Sequence, residues 1–174
     1  MRVAYVCSDP GIPVLGCKGA SVHVQAILRG LTKRGADVHV LAPRIGGALP
    51  AGLDGVRLHA LPPVPRGTAA ARERAAQASD AAAAEILDRI GHVDLVYERY
   101  SLWGRTATAW ARGMRIPSVL EVNAPLVEEQ ASHRVLVDRA AAEEAAAAAL
   151  SAAGVVTCVS ESVATWARSR SPSP

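Results

Sequence analysis

Residues 3–28 read VAYVCSDPGIPVLGCKGASVHVQAIL, and their order decides the fold. The apolar run from Val3 to Cys7 shows no polar alternation, as expected of a strand buried on both faces. A loop holding Gly16, Lys18 and Gly19 follows, and an amphipathic helix opens at about Ser21. Strand, glycine-bearing loop and helix in that order aim backbone N–H groups and the positive end of a helix dipole at one point, where an anionic group can sit. The dinucleotide fingerprint Gly-x-Gly-x-x-Gly does not match, because only Gly16 and Gly19 are usefully spaced and the loop is too long for a tight turn. A longer loop leaves room for a larger ligand or for a second domain facing this edge.

Outward from this unit, short runs rich in Val, Leu and Tyr recur at Val3 to Cys7, Asp37 to Leu41, Val56 to Leu61, Asp94 to Tyr97, Ser118 to Val122 and Val155 to Val159. Five helical segments separate or follow them. The first places Val24, Ile27, Leu28 and Leu31 on one stripe, with Ser21 as N-cap and Gly35 just past its end. A Pro-rich linker, Leu61 to Arg66, leads into an alanine-rich helix predicted from about Thr68 to Ile90. Ser101 is expected to open a helix through about Arg112, and Pro125, as a first-turn proline, to open the longest one, through Ala153. Ser160 caps a last short helix.

Strands alternating with helices predict an α/β fold: a doubly wound parallel sheet flanked by helices. Ligands bind beyond the carboxyl ends of the strands in such sheets. That rule selects Ser8 to Ser21, Arg44, Glu98 to Ser101, Glu121 to Pro125 and Ser160.

Composition narrows the class. With 174 residues, 50% hydrophobic content and a mean hydropathy of +0.16, the chain can build one domain with a buried core, so disorder is excluded. Net charge is +3, but the arginines are scattered among acidic residues, without the basic stripe that a nucleic acid needs. Lys18 and Lys33 are the only lysines, which makes Lys18 in the glycine loop conspicuous. Cys7, Cys17 and Cys158 form neither a CxxC pair nor an even set, so neither a disulfide framework nor a zinc site is expected, and a cytoplasmic, reducing compartment fits. Cys7 and Cys158 read as small core residues. No signal peptide or membrane span is apparent.

Taken together, the segments SVHVQAILRGLTKRGADVHVLAP (21–43), DLVYERYSLWG (94–104), IPSVLEVNAPLVEE (116–129) and VVTCVSES (155–162) resemble the N-terminal domain of family 4 retaining glycosyltransferases. The resemblance covers the chain to about Arg168. It implies a Rossmann-like domain, 1–168, forming one half of the two-domain GT-B architecture, with 169–174 as a Ser/Pro tail or the start of an interdomain linker. The C-terminal domain, which carries most of the nucleotide-sugar site in that family, would then be absent, and this acceptor-side half would not turn over alone.

The same resemblance assigns roles. The complete enzyme would transfer a sugar from a nucleotide-sugar donor to an acceptor, whether saccharide, lipid or small metabolite, with retention of anomeric configuration. No cofactor and no metal are implied, and peripheral association with the inner face of the membrane is compatible with the family. Gly16, Lys18 and Gly19 resemble the segment that approaches the donor diphosphate. Asn123 stands where many members carry a histidine that contacts the transferred sugar, and an amide can hydrogen-bond a hydroxyl but cannot act as a base.

Residue chemistry fills in the rest of the edge. Glu121 is a carboxylate within an apolar strand, able to accept from an acceptor hydroxyl or to pair with Arg99. Arg99, if free, suits a phosphate or an acidic acceptor. Tyr97 and Tyr100 are expected to divide between core and cleft, with Tyr100 the one to stack on a sugar, while Ser101 and Ser160 complete the cleft residues. His23 and His133 occupy helix positions that are usually solvated, and the helix dipole alone accounts for Glu128 and Glu129. The alternative is a self-contained NADP-binding module, an oxidoreductase or sensor, since Arg44 after the second strand suits a 2′-phosphate. A third reading, a domain kept for protein association, rests on the alanine-rich helices.

Overall fold

The computed structural model describes residues 1–171, and six strands appear where the apolar runs predict them. They are β1 (Arg2–Val6), β2 (Asp37–Ala42), β3 (Arg57–Ala60), β4 (Leu95–Arg99), β5 (Ser118–Val122) and β6 (Val155–Cys158). All pair in parallel in the order β3-β2-β1-β4-β5-β6. Helices cover both faces, so β1 is buried over most of its length and needs no polar alternation. Among the described residues no helix is long and apolar enough to cross a membrane.

One face is covered by α1 (Gly19–Lys33), whose Val24 and Leu28 are fully buried against Tyr5, Val38 and Val40. Burying two such side chains contributes about 2 kcal/mol each. The helix starts two residues earlier than expected: Lys18 is the N-cap residue, without a side-chain bond, and Ser21 is buried inside the first turn.

The opposite face carries the remaining helices, and there two long predicted helices are each broken. The segment from Thr68 splits into α2 (Ala69–Ala81), capped by Thr68, and α3 (Ala83–Ile90). The segment from Pro125 splits into α5 (Leu126–His133) and α6 (Arg139–Ala152), with Pro125 at the N-cap position rather than in the first turn. Glu73 of α2 accepts the Val137 and Asp138 N–H groups at 2.8 and 3.1 Å, and Asp138 caps Ala141 at 2.9 Å, which satisfies the new helix start. Uniform alanine runs carry no periodic signal of where such a break falls.

Between these pairs lies α4 (Thr106–Gly113), which starts five residues after Ser101. Its cap comes from α2: Asp80 accepts Arg105 N–H, Thr106 N–H and Thr106 Oγ1–H at 3.2, 3.0 and 2.6 Å. Last in the chain, α7 (Glu161–Arg168) is capped by Ser160 as predicted, at 3.3 Å to Val163 N–H. The expected tail from 169 is packed at its start. Arg170 bonds Glu128 and Glu143 and lies over the Trp166 ring, while Trp166 Nε1–H donates to Glu128 at 2.6 Å. Glu128 therefore does more than answer a helix dipole; residues 172–174 lie outside the described residues.

Candidate functional site

Strand order reverses between β1 and β4, and connections leave these neighbours on opposite sides, so a crevice opens beyond their carboxyl ends. Register then decides which side chains reach it. Parallel partners share a face, so the pairs Tyr5 with Tyr97 and Arg99 with Glu121 place all four on the α1 side. Val6, Glu98 and Leu120 lie on the other side.

On the α1 side the polar groups converge on Glu121, which is only 6% exposed. Tyr97 Oη–H donates to Glu121 Oε2 at 3.1 Å, Asn123 Nδ2–H donates to Oε1 at 2.9 Å, and His23 Nε2 of α1 bonds the same Oε1. Arg99 Nη1 stands 3.6 Å away, an ion pair beyond hydrogen-bond reach, and finds no other acceptor among the described residues. Burial first and then the Glu121 carboxylate push the Tyr97 phenol above its ordinary range, so this group remains a donor. Tyr97 also stacks on Tyr5, with centroids 5.4 Å apart. Burial pushes the Cys7 thiol up to about 12, which leaves it an inert core group.

The glycine loop is built rather than loose. Val14 N–H and Leu15 N–H donate to Arg44 O and Ile45 O at 3.0 and 2.7 Å, and buried Gln25 donates to Gly16 O at 2.7 Å. At Gly16 a Cβ would stand 2.8 Å from Pro13 Cγ and 2.9 Å from Ser21 Oγ, so only glycine fits between loop and helix. Gly19 faces open space, and Lys18 is exposed beside it. With no side-chain cap and no acidic residue in its first turn, α1 presents its leading N–H groups to this edge.

Two expected cleft residues are elsewhere. Tyr100 is 3% exposed and packs on Trp166 in the core, so the division of the tyrosines is the reverse of the expectation: Tyr97 reaches the polar cluster. Ser101 is also buried, in a tight turn that ends at Gly104, where a Cβ would lie 2.5 Å from Ser101 Oγ and 2.9 Å from Glu98 Oε1. Ser160 is exposed at the start of α7, and Arg44 is exposed after β2.

Two groups escaped the sequence reading. His23 is the first, and the signal for it was indirect: a carboxylate inside an apolar strand must find partners on whatever covers that face. The other is Asp80, on the far side of the sheet, next to Glu98, which the strand-end rule selects but the fold turns away from the crevice. Glu98 is fully buried, accepts Thr108 N–H at 3.0 Å, and is pushed up to about 8 by burial and then by Asp80. Burial likewise raises Asp80, although Thr106, Arg105 and Ser8 bond it. Among the described residues no group of three or more His, Cys, Asp or Glu is placed to hold a metal ion.

A doubly wound parallel sheet whose first loop and uncapped helix face a switch-point crevice, next to a buried carboxylate with polar partners, is the arrangement at which such folds place their ligand sites. The chain belongs to Glycosyltransferase Family 4, whose sequence profile matches residues 17–174. No curated protein matches the sequence. Similar solved structures include UGT2 of Phytolacca americana complexed with UDP-2fluoro-glucose and pterostilbene, at 19% identity over 71% of this chain and 30% of that one, TM-score 0.45. The apo form of UGT2 is 18% identical over 79% of this chain and 34% of that one, TM-score 0.46. A UGT transferase from Siraitia grosvenorii in complex with UDP is 12% identical over 76% and 32%, TM-score 0.44. The chain spans about a third of the length of these structures.

Proposed function

We propose that this chain is the acceptor-side domain of a glycosyltransferase that moves a sugar from a nucleotide-sugar donor to an acceptor hydroxyl with retention at the anomeric carbon. The observation that carries the reading is the Glu121 cluster beside the uncapped start of α1 and its glycine loop. In the reaction the anomeric carbon leaves the diphosphate oxygen and bonds the acceptor oxygen on the same face, while the acceptor's proton passes to the departing diphosphate. The N–H groups of α1 and Lys18 would stabilise the diphosphate as it departs, a role that requires no metal or other cofactor. Glu121 would accept a hydrogen bond from the acceptor hydroxyl, and Asn123 would hold a sugar hydroxyl through its amide.

A second Rossmann-like domain, facing this edge, would supply most of the donor contacts, and the assembled enzyme would work in the cytoplasm or at the inner membrane face. Acceptor classes remain saccharide, lipid or small metabolite. A self-contained dinucleotide module is the weaker reading, because the glycine pattern of the first loop is incomplete, although Arg44 after β2 would suit a 2′-phosphate.

Titration of the chain with UDP-glucose, followed residue by residue by NMR, tests the division of labour. Weak binding with shifts at Gly16, Lys18, Gly19 and His23 is expected. Low-micromolar affinity, or shifts elsewhere, overturns it.

A further inference from the structure

Three of the arginines that lie scattered along the sequence are brought together by the fold at the opposite end of the sheet. Arg2 begins β1, Asp37 and His39 lie on β2, and Arg57 and His59 on β3, all on the face that α3 covers. Between these strands and α3 is a pocket of about 510 Å³ lined by the three arginines Arg2, Arg57 and Arg89, by His39 and His59, and by an apolar floor that includes Ile86 and Ile90. No carboxylate lines it.

Hydrogen bonding inside the pocket has a direction. Arg57 can only donate, so its 3.2 Å contact makes His39 Nε2 an acceptor and puts the His39 proton on Nδ1. That proton is donated to His59 Nε2 at 2.9 Å, so His59 carries its own proton on Nδ1 as a further donor. Burial and the arginines hold both rings below the ordinary imidazole range, in keeping with neutral, directional rings. Asp37, the neighbouring carboxylate, is already bonded to Arg2 at 2.9 Å and paired with Arg57 at 3.5 Å. Asp94 is taken by His92 at 2.8 Å and by the Arg2 N–H at 2.6 Å. The Arg89 guanidinium makes no hydrogen bond or ion pair among the described residues, yet its charge acts on His59.

We infer that this pocket is a binding site for a small phosphate-bearing anion, separate from the sugar-transfer edge. Arg57 and Arg89 supply the charged forks, His59 the neutral donor, and the isoleucine floor accommodates an apolar moiety next to the phosphate. The phosphate can arrive on a free molecule or on a lipid headgroup. Asp37 offsets one charge, shared between Arg2 and Arg57, and the excess, centred on Arg89, unpaired among the described residues, is what such a ligand neutralises.

The test is a pyrophosphate titration of the chain read by 1H–15N NMR. Saturable shifts at Arg57, His59 and Arg89 are expected, weakened about tenfold or more in Arg89→Ala and unchanged in Lys18→Ala. Arg89 lies on the helix surface, and a second variant, His59→Gln, should also weaken binding. Cosedimentation with phosphatidylcholine vesicles containing phosphatidic acid, lost in Arg89→Ala, assigns the phosphate to a lipid headgroup; pyrophosphate binding without vesicle binding assigns it to a free ligand. Shifts confined to Gly16, Lys18 and Gly19, linear shifts without saturation, or equal affinity in Arg89→Ala overturn the inference.

Discussion

The two faces of the sheet hold matching carboxylate clusters with opposite designs. On the α1 side, Glu121 is surrounded by His23, Tyr97, Asn123 and Arg99, and the His23 side chain is 41% exposed at the crevice. One register step away, Glu98 of β4 and Asp80 of α2 are sealed against the start of α4 and bond mostly backbone N–H groups and hydroxyls. Both arise at the carboxyl ends of central strands, where functional residues are sought. Only the first opens to solvent, through His23, so the difference teaches that position in the sheet nominates a group and coverage decides whether it is reachable.

Removing the sealed cluster should have the largest effect. Asp80→Ala strips α4 of its cap and leaves several buried donors unsatisfied, and a loss of about 3 kcal/mol is expected in urea unfolding. A change below about 1 kcal/mol would show that the sealed side is not structural.

Glu98→Gln should sharpen the contrast through pH. Burial pushes the folded-state carboxyl up to about 8, above the ordinary glutamate range, so the native chain binds more protons in between and its stability falls as pH rises through that window. The slope is on the order of 1 kcal/mol per pH unit at most. Thermal melts of the wild type from pH 5 to 8 should show that decline, and Glu98→Gln should flatten it; an unchanged slope places the titrating group elsewhere.

On the open side, smaller stability effects should accompany larger effects on ligands. Glu121→Gln leaves Arg99 without its counter-charge and should cost about 1–2 kcal/mol, while the His23 ring signals lose their dependence on the cluster. His23→Ala should cost less than about 0.5 kcal/mol by chemical unfolding, because the ring is half-exposed, yet it should abolish the UDP-glucose shifts at the start of α1. A stability loss for His23→Ala as large as that for Asp80→Ala would erase the distinction between the faces.

Much of the architecture is readable from the chain. Doubly buried parallel strands are continuous apolar runs, and each of the six predicted runs contains or overlaps a strand of the sheet. Helix ends were less readable. Ser101 looked like a local cap, but the acceptor for α4 is Asp80, more than twenty residues away, and no local pattern encodes such a partner. The break at 82 falls in an alanine-rich segment of uniform helical propensity, whereas that at 134–138 coincides with Val135, Val137 and the capping Asp138. At the site, the pairing of Glu121 with Arg99 was readable as one of two options for a carboxylate in an apolar strand. His23 was not, since its helix position alone suggests solvent.

Sequence by itself determined the order of strands and helices, the glycine loop before α1, and the concentration of polar residues after β1, β4 and β5. Tertiary structure decided that Tyr97 rather than Tyr100 reaches Glu121, that Glu98 is sealed, and that Arg2, Arg57 and Arg89 share one pocket. The physical reason is the twofold period of a strand. It determines which side chains of one strand share a face, but pairing register and helix coverage determine which neighbours they meet and which face water reaches.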